Sequence, residues 1–313
     1  MRIVKAVLVI VIVCIAASVG FLYLAPQKAT SLAVDLERKR SGLTRKEITL
    51  PDGLHYVYLE GGKGEPLILL HGFGANKDNF IRTARFLVPH YRVIIPDHIG
   101  FGESGHPADV DYKPGTQATR IRALAHALGI TNVNLGGNSM GGLISMMYAA
   151  LYPDDVKSLW LLDPAGVWSA PPSEVHEIIA RTGKNPLMAQ NEDEFAGIFQ
   201  FVMADHPFIP RPILNVMAQE RISNYNLEQK IFKDLQIESV EKYVSGLKTP
   251  TLIVFGDKDR AIHPATADIL HKLMPCSEVI MMKGLGHLPM LEQPGKTAED
   301  YLKFRQRIES GHK

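Results

Sequence analysis

Cysteine is almost absent from this 313-residue chain, which carries only Cys14 and Cys276. One lies in an apolar N-terminal run and the other far downstream, so no disulfide forms within the main body. Two thiols are also too few for a Cys/His zinc cluster, and no metal or other cofactor is expected. Net charge is nearly absent as well, with 34 Lys and Arg against 33 Asp and Glu, a balance of +1. No basic stripe with interleaved aromatics runs through the sequence, which argues against nucleic acid as a partner. Uncharged apolar runs of membrane length are missing too, with one exception from Ala6 to Leu24.

As a helix, that run would span roughly 30 Å, about the thickness of a bilayer core. No small-x-small cleavage signal precedes Ala25-Pro26-Gln27, so residues 1–28 read as an uncleaved membrane anchor, with a cleaved signal segment and secretion as the alternative. Val13 stands where a lipobox needs a small residue, so Cys14 is a poor lipidation site. Arg2 and Lys5 flank one end of the run, and Lys28, Arg38, Lys39 and Arg40 follow the other, leaving orientation open by charge. The main body is expected on the periplasmic or extracytoplasmic side.

After a polar connector from Asp35 to Lys46, strand-like and helix-like segments alternate, the pattern of a mostly parallel sheet covered on both faces. His55 to Leu59 and Leu67 to Leu70 are expected to open the sheet. The core reads as two stretches, 45–166 and 247–310, separated by a Pro-punctuated helical insertion over 167–246. That insertion holds a cluster of large apolar residues, Phe195, Ile198, Phe199, Phe201, Val202 and Met203, suited to a cap over a ligand pocket. Met146 and Met147 read as ordinary core. The glycine-rich stretch Asp97 to Ser104 looks like a phosphate cradle but lacks the Lys-Ser/Thr ending of a P-loop.

The chemistry is concentrated at Gly137-Asn138-Ser139-Met140-Gly141, between a strand-like segment and a helix-forming one. In such a G-x-S-x-G elbow the chain reverses so tightly that side chains are excluded on either side of an exposed serine. Upstream, Leu67 to Leu70 runs into His71-Gly72-Phe73-Gly74, where His71 reads as a brace for the loop. A serine needs a base and a group to orient it. His287 follows the strand Val279 to Met282 through a glycine-containing loop and is the candidate base. Asp257 and Asp259 both follow the strand Thr251 to Phe255, and Asp163 ends the strand Ser158 to Leu162, so three carboxylates compete for the third role.

Six segments, HGFGANKDNF (71–80), PDHIGFGES (96–104), GGNSMGG (136–142), YPDDVKSLWLLDPAG (152–166), GDKD (256–259) and GHLPMLEQP (286–294), resemble the α/β-hydrolase superfamily. Within it they are similar to bacterial triacylglycerol lipases and membrane-anchored monoacylglycerol lipases, over roughly residues 45 to 308. The resemblance implies an α/β-hydrolase fold with Ser139 as nucleophile, Asp259 as acid and His287 as base. It also implies that the backbone N–H groups of Phe73 and Met140 form an oxyanion hole. The implied activity is hydrolysis of acylglycerol or other fatty-acyl esters through an acyl-enzyme, with a lipid or ester substrate, no cofactor and no obligate protein partner. A serine at the elbow argues against dehalogenase and epoxide hydrolase chemistry, which use aspartate there. Meta-cleavage carbon–carbon hydrolysis keeps the serine triad and is the alternative. A non-catalytic binding protein of this fold would commonly lack a triad member.

Overall fold

The computed structural model describes residues 2–311. Helix α1 (Arg2–Leu24) is the one helix among the described residues long and apolar enough to cross a membrane. Pro26, whose ring suits a first helical turn, starts α2 (Pro26–Arg40), which ends on three basic side chains that complement the carbonyl end of its dipole.

Three strands follow, β1 (Thr44–Thr49), β2 (His55–Gly61) and β3 (Glu65–Leu70), then α3 (Ile81–Leu87) and β4 (Tyr91–Pro96). Next come α4 (Pro114–Ala127), β5 (Val133–Asn138), α5 (Met140–Leu151) and β6 (Val156–Leu162). Five helices then intervene before the sheet resumes: α6 (Glu174–Thr182), α7 (Glu192–Val202), α8 (Arg211–Ser223), α9 (Tyr225–Leu235) and α10 (Glu241–Val244). The chain closes with β7 (Thr251–Gly256), α11 (Thr266–Leu273), β8 (Ser277–Met282), α12 (Pro289–Glu292) and α13 (Pro294–Glu309).

The eight strands form one sheet in the order β1-β2-β4-β3-β5-β6-β7-β8. From β4 to β8 all pairings are parallel, while β2 pairs antiparallel with both β1 and β4. Two-residue alternation splits the strand side chains between two cores: Ile68, Leu70, Leu135 and Leu161 on one face, Leu67, Leu69, Trp160 and Leu162 on the other. Met146 and Met147 lie in the first of these cores, as expected. The connection from β3 runs to β4 on one side, and that from β5 runs to β6 on the other. The crevice between the ends of β3 and β5 is therefore a topological switch point, where open α/β sheets bind ligands.

Two elements differ from the expected connector. The first half of the segment 35–46 is the end of α2, and its last residues already belong to β1, which opens the sheet earlier than expected. Five of the six β1 side chains are exposed, so the strand carries no apolar alternation to reveal it. Its charges, among them Lys46 on Glu60 (2.7 Å), suit an outer strand that must not pair with other chains. The supposed phosphate cradle is also explained. Asp97 is fully buried and occupies the turn itself, accepting the N–H groups of Lys77 (2.7 Å) and Glu103 (2.8 Å) and the Lys77 ammonium (2.7 Å). A Cβ on Gly102 would lie 2.2 Å from its carboxyl carbon.

Candidate active site

The elbow is built by close approach of backbone to backbone. A Cβ on Gly137 would stand 2.2 Å from the carbonyl carbon of Gly141, and a Cβ on Gly141 would stand 2.1 Å from the Leu70 oxygen. Only glycine fits at either position. Between them Ser139 is held at φ 54° and ψ −116°, a conformation that costs a non-glycine residue about 1–3 kcal/mol. Its N–H donates to Leu162 O (3.0 Å) and its carbonyl accepts from Leu143 (3.0 Å) and Ala165 (3.1 Å), so the strain is enforced from both sides.

His287 and Asp259 are brought together at the ends of β8 and β7. His287 Nδ1 lies 2.7 Å from Asp259 Oδ2, and both side chains are buried. Asp259 Oδ1 accepts the N–H groups of Ala261 (2.8 Å) and Ile262 (3.1 Å), so the carboxylate is fixed on both oxygens. A carboxylate can only accept, so Nδ1 carries the proton and Nε2 is left free to accept one. The two loops meet at Gly256, where a Cβ would lie 2.0 Å from the Gly286 oxygen. Ser139 and His287 line the same cavity but make no hydrogen bond to each other among the described residues. Such contacts often tighten only when substrate binds.

The other two carboxylates hold different positions. Asp257 is exposed and caps the Gly284 N–H (2.7 Å). Asp163 is fully buried at φ 46°, accepts the Gly256 N–H on Oδ1 (2.9 Å), and leaves Oδ2 without a partner. One oxygen each of Asp163 and Asp259 and a ring nitrogen of His287 lie within 4.8 Å of one another. Burial first, and then the neighbouring Asp259 carboxylate, push the Asp163 carboxyl well above the usual range and favour its protonated form.

His71 braces the upstream loop, as its place in the sequence suggested. Its Nδ1 donates to Gly72 O (2.8 Å), and its Nε2 accepts the His98 N–H (3.0 Å), which fixes the neutral tautomer. Gly72 O also accepts the Ala75 N–H (3.2 Å). A trans peptide points its C=O and N–H to opposite sides, so these donors turn the Phe73 N–H away from them. The Phe73 and Met140 N–H groups have no hydrogen-bond partner among the described residues. The loop is pressed onto the elbow, since a Cβ on Gly72 would lie 3.3 Å from the Ser139 Cβ.

Two residues that the sequence did not single out hold these pieces in register. The Asn138 amide donates to Leu162 O (3.1 Å) and to His287 O (2.9 Å), tying the elbow to the base. Glu292 accepts the N–H groups of Gly286 (3.0 Å) and Ala204 (2.9 Å), tying the base loop to the helical insertion. A generic Asn before a serine and a generic Glu near a helix start carry no pattern that would reveal either role. The cavity has a volume of about 760 Å³. Phe195, Ile198, Phe199, Val202 and Met203 line it, together with Thr30, Ser31 and Val34 of α2. Phe201, expected in the same cluster, instead packs in the core with the Arg260 guanidinium 4.4 Å from its ring centre.

Burial of His71 lowers its pKa from 6.5 to about 4, and burial of His98, helped by repulsion from His71, lowers that ring well below its ordinary value. Between about pH 4 and 6.5 the unfolded chain binds protons at both histidines that the folded chain refuses, so folding loses stability as pH falls through that window. Asp163, with its raised pKa, acts in the opposite sense. Unfolding followed from pH 7 to pH 4.5 should show His98→Phe with a shallower acid slope, by up to about 1.4 kcal/mol per pH unit. An unchanged slope would mean that His98 is not held neutral.

Residues 65–294 match the α/β hydrolase fold family. The chain is similar to Lipase 1 of Psychrobacter immobilis, with 46% identity over 90% of this chain and 90% of that protein. Human monoacylglycerol lipase ABHD6 is 27% identical over 80% of this chain and 79% of its own length. Among solved structures, a bacterial membrane phospholipase A superposes with a TM-score of 0.88 at 35% identity, covering 97% of this chain and 99% of that one. The chain belongs to the α/β-hydrolase fold family, within its lipase branch.

Proposed function

We propose that the chain is a serine carboxylic-ester hydrolase that cleaves fatty-acyl esters, acylglycerols foremost, at the Ser139 elbow. The observation that carries this reading is His287, hydrogen-bonded to Asp259, lining one cavity with a serine held at φ 54°. His287 Nε2 takes the Ser139 proton as Oγ attacks the ester carbonyl. The resulting oxyanion is held by the Phe73 and Met140 N–H groups. The same histidine returns the proton to the departing alcohol, leaving the acyl group on Oγ. It then removes a proton from water, whose attack releases the fatty acid and restores the serine. Asp259 keeps the proton on Nδ1 and stabilises the imidazolium formed in each step.

The apolar wall from α7 suits the acyl chain, and the helical insertion over 167–246 serves as the cap above it. Helix α1 anchors the enzyme in a membrane, with the hydrolase body on the extracytoplasmic side. A membrane anchor fits a lipid ester better than it fits a soluble aromatic diketone, which favours ester over carbon–carbon hydrolysis.

Full-length protein in detergent, assayed on esters from butyrate to oleate and on mono- and triglycerides, should turn over long-chain glycerides. Ser139→Ala should lose nearly all turnover, and Asp259→Asn about 10⁴-fold in kcat through the wrong imidazole tautomer. Asp163→Asn should stay within about tenfold of the parent, because Asp163 does not orient the base. Turnover that survives in Ser139→Ala, or a heavier loss in Asp163→Asn than in Asp259→Asn, would overturn these assignments. Alkaline carbonate washing of membranes should leave the full chain in the pellet, whereas release into the supernatant would contradict the anchor.

A further inference from the structure

Several cap side chains hydrogen-bond outside the cap, among them Lys230, Asp234 and Glu220, and one of them reaches the loop beside the serine. Arg221, near the end of α8, is 6% exposed and reaches into the wall of the cavity. Its Nη1 donates to Gly74 O (2.7 Å), in the loop that bears the Phe73 N–H. Its Nη2 donates to Leu187 O (2.7 Å) and Glu228 Oε2 (2.8 Å), and its Nε donates to Glu228 Oε1. The guanidinium carbon also lies 5.9 Å from the Phe73 ring centre. The fit is tight, because a Cβ on Gly74, which sits at φ +65°, would lie 2.2 Å from that carbon.

We propose that Arg221 is a positioning residue through which the cap fixes the oxyanion loop. The loop is a turn held at two points. His71 and the Ala75 N–H hold Gly72 O at its start, and Arg221 holds Gly74 O at its end. Between those points lies Phe73, whose N–H must stay aimed at the place where negative charge develops. Glu228 neutralises the guanidinium on two sides, so Arg221 offers little net charge to a substrate. Its fork geometry is what the site uses, and a lysine cannot reproduce it. The neighbouring residue repeats the arrangement, with Glu220 Oε1 accepting the Gly102 N–H (2.7 Å) of the adjacent loop. The cap is therefore part of the scaffold of the oxyanion hole.

This inference rests on the ester-hydrolase reading, and two variants separate its failure from the failure of that reading. Arg221→Lys removes the fork while keeping the charge, and Gly74→Ala displaces the guanidinium while keeping the arginine. Both should lower kcat by about 10²-fold with KM changed less than threefold, since a misaimed donor weakens only the transition state. A long-chain alkyl boronic acid, which forms a tetrahedral adduct on the serine, should lose affinity in parallel with kcat/KM. A fatty alcohol of the same length should bind both variants as it binds the parent. These comparisons are made on protein whose near-ultraviolet circular dichroism matches the parent, which separates positioning from misfolding. If either variant keeps its kcat and raises KM alone, or loses boronic acid and alcohol equally, Arg221 contacts the substrate or merely supports the cap, and the proposal is wrong. Residual esterase activity in Ser139→Ala would instead overturn the underlying reading.

Discussion

The contact on which the rest depends is the close passage of Gly137 over Gly141, where the chain turns from β5 into α5 with no room for a side chain on either residue. That passage forces Ser139 into a conformation a serine would not choose and points the Met140 N–H out of the first turn of α5. It also lets Gly141 approach the Leu70 oxygen, which brings the end of β3, and hence the Phe73 loop, against the serine. The elbow and the loop are thus one construction. The strain at Ser139 persists because Leu162, Leu143 and Ala165 hold its backbone from three sides.

Around this construction burial keeps three titratable groups uncharged. His71 and His98 stay neutral through burial, and Asp163 favours its protonated form beside Asp259. Among the three candidate acids, only Asp259 has both oxygens committed to fixed donors, with the imidazole on one and two backbone N–H groups on the other. A low-dielectric site of this kind strengthens the hydrogen bonds that act on developing charge. The same burial makes the fold sensitive to acid, because the two histidines must be uncovered before they can take up protons.

Much of this was legible in the sequence because its cause is local. The glycines at 137 and 141 are demanded by sterics within five residues, and the apolar runs that become β3, β5, β6 and β7 are buried on both faces. Strand β1 is not legible, since its exposed charged residues carry no burial pattern, and the end of α2 reads as a connector because the helix has no buried residues. The choice among Asp163, Asp257 and Asp259 depended on which carboxylate faces the imidazole, and the spacing of residues within one loop cannot fix that. Asn138, Arg221 and Glu292 were missed for a related reason. Each acts on backbone atoms of segments distant in sequence, and nothing in its own neighbourhood marks the partner.

In the proposed hydrolase the strained elbow serine is the nucleophile and the Asp259–His287 pair activates it. Exposure of the full-length protein to a long-chain fluorophosphonate, followed by peptide mass spectrometry, tests this without assuming any substrate. A single covalent phosphonyl adduct is expected on Ser139 in the parent and none, over the same time, in His287→Ala. An adduct on another residue, or no adduct on a folded parent protein, would contradict it.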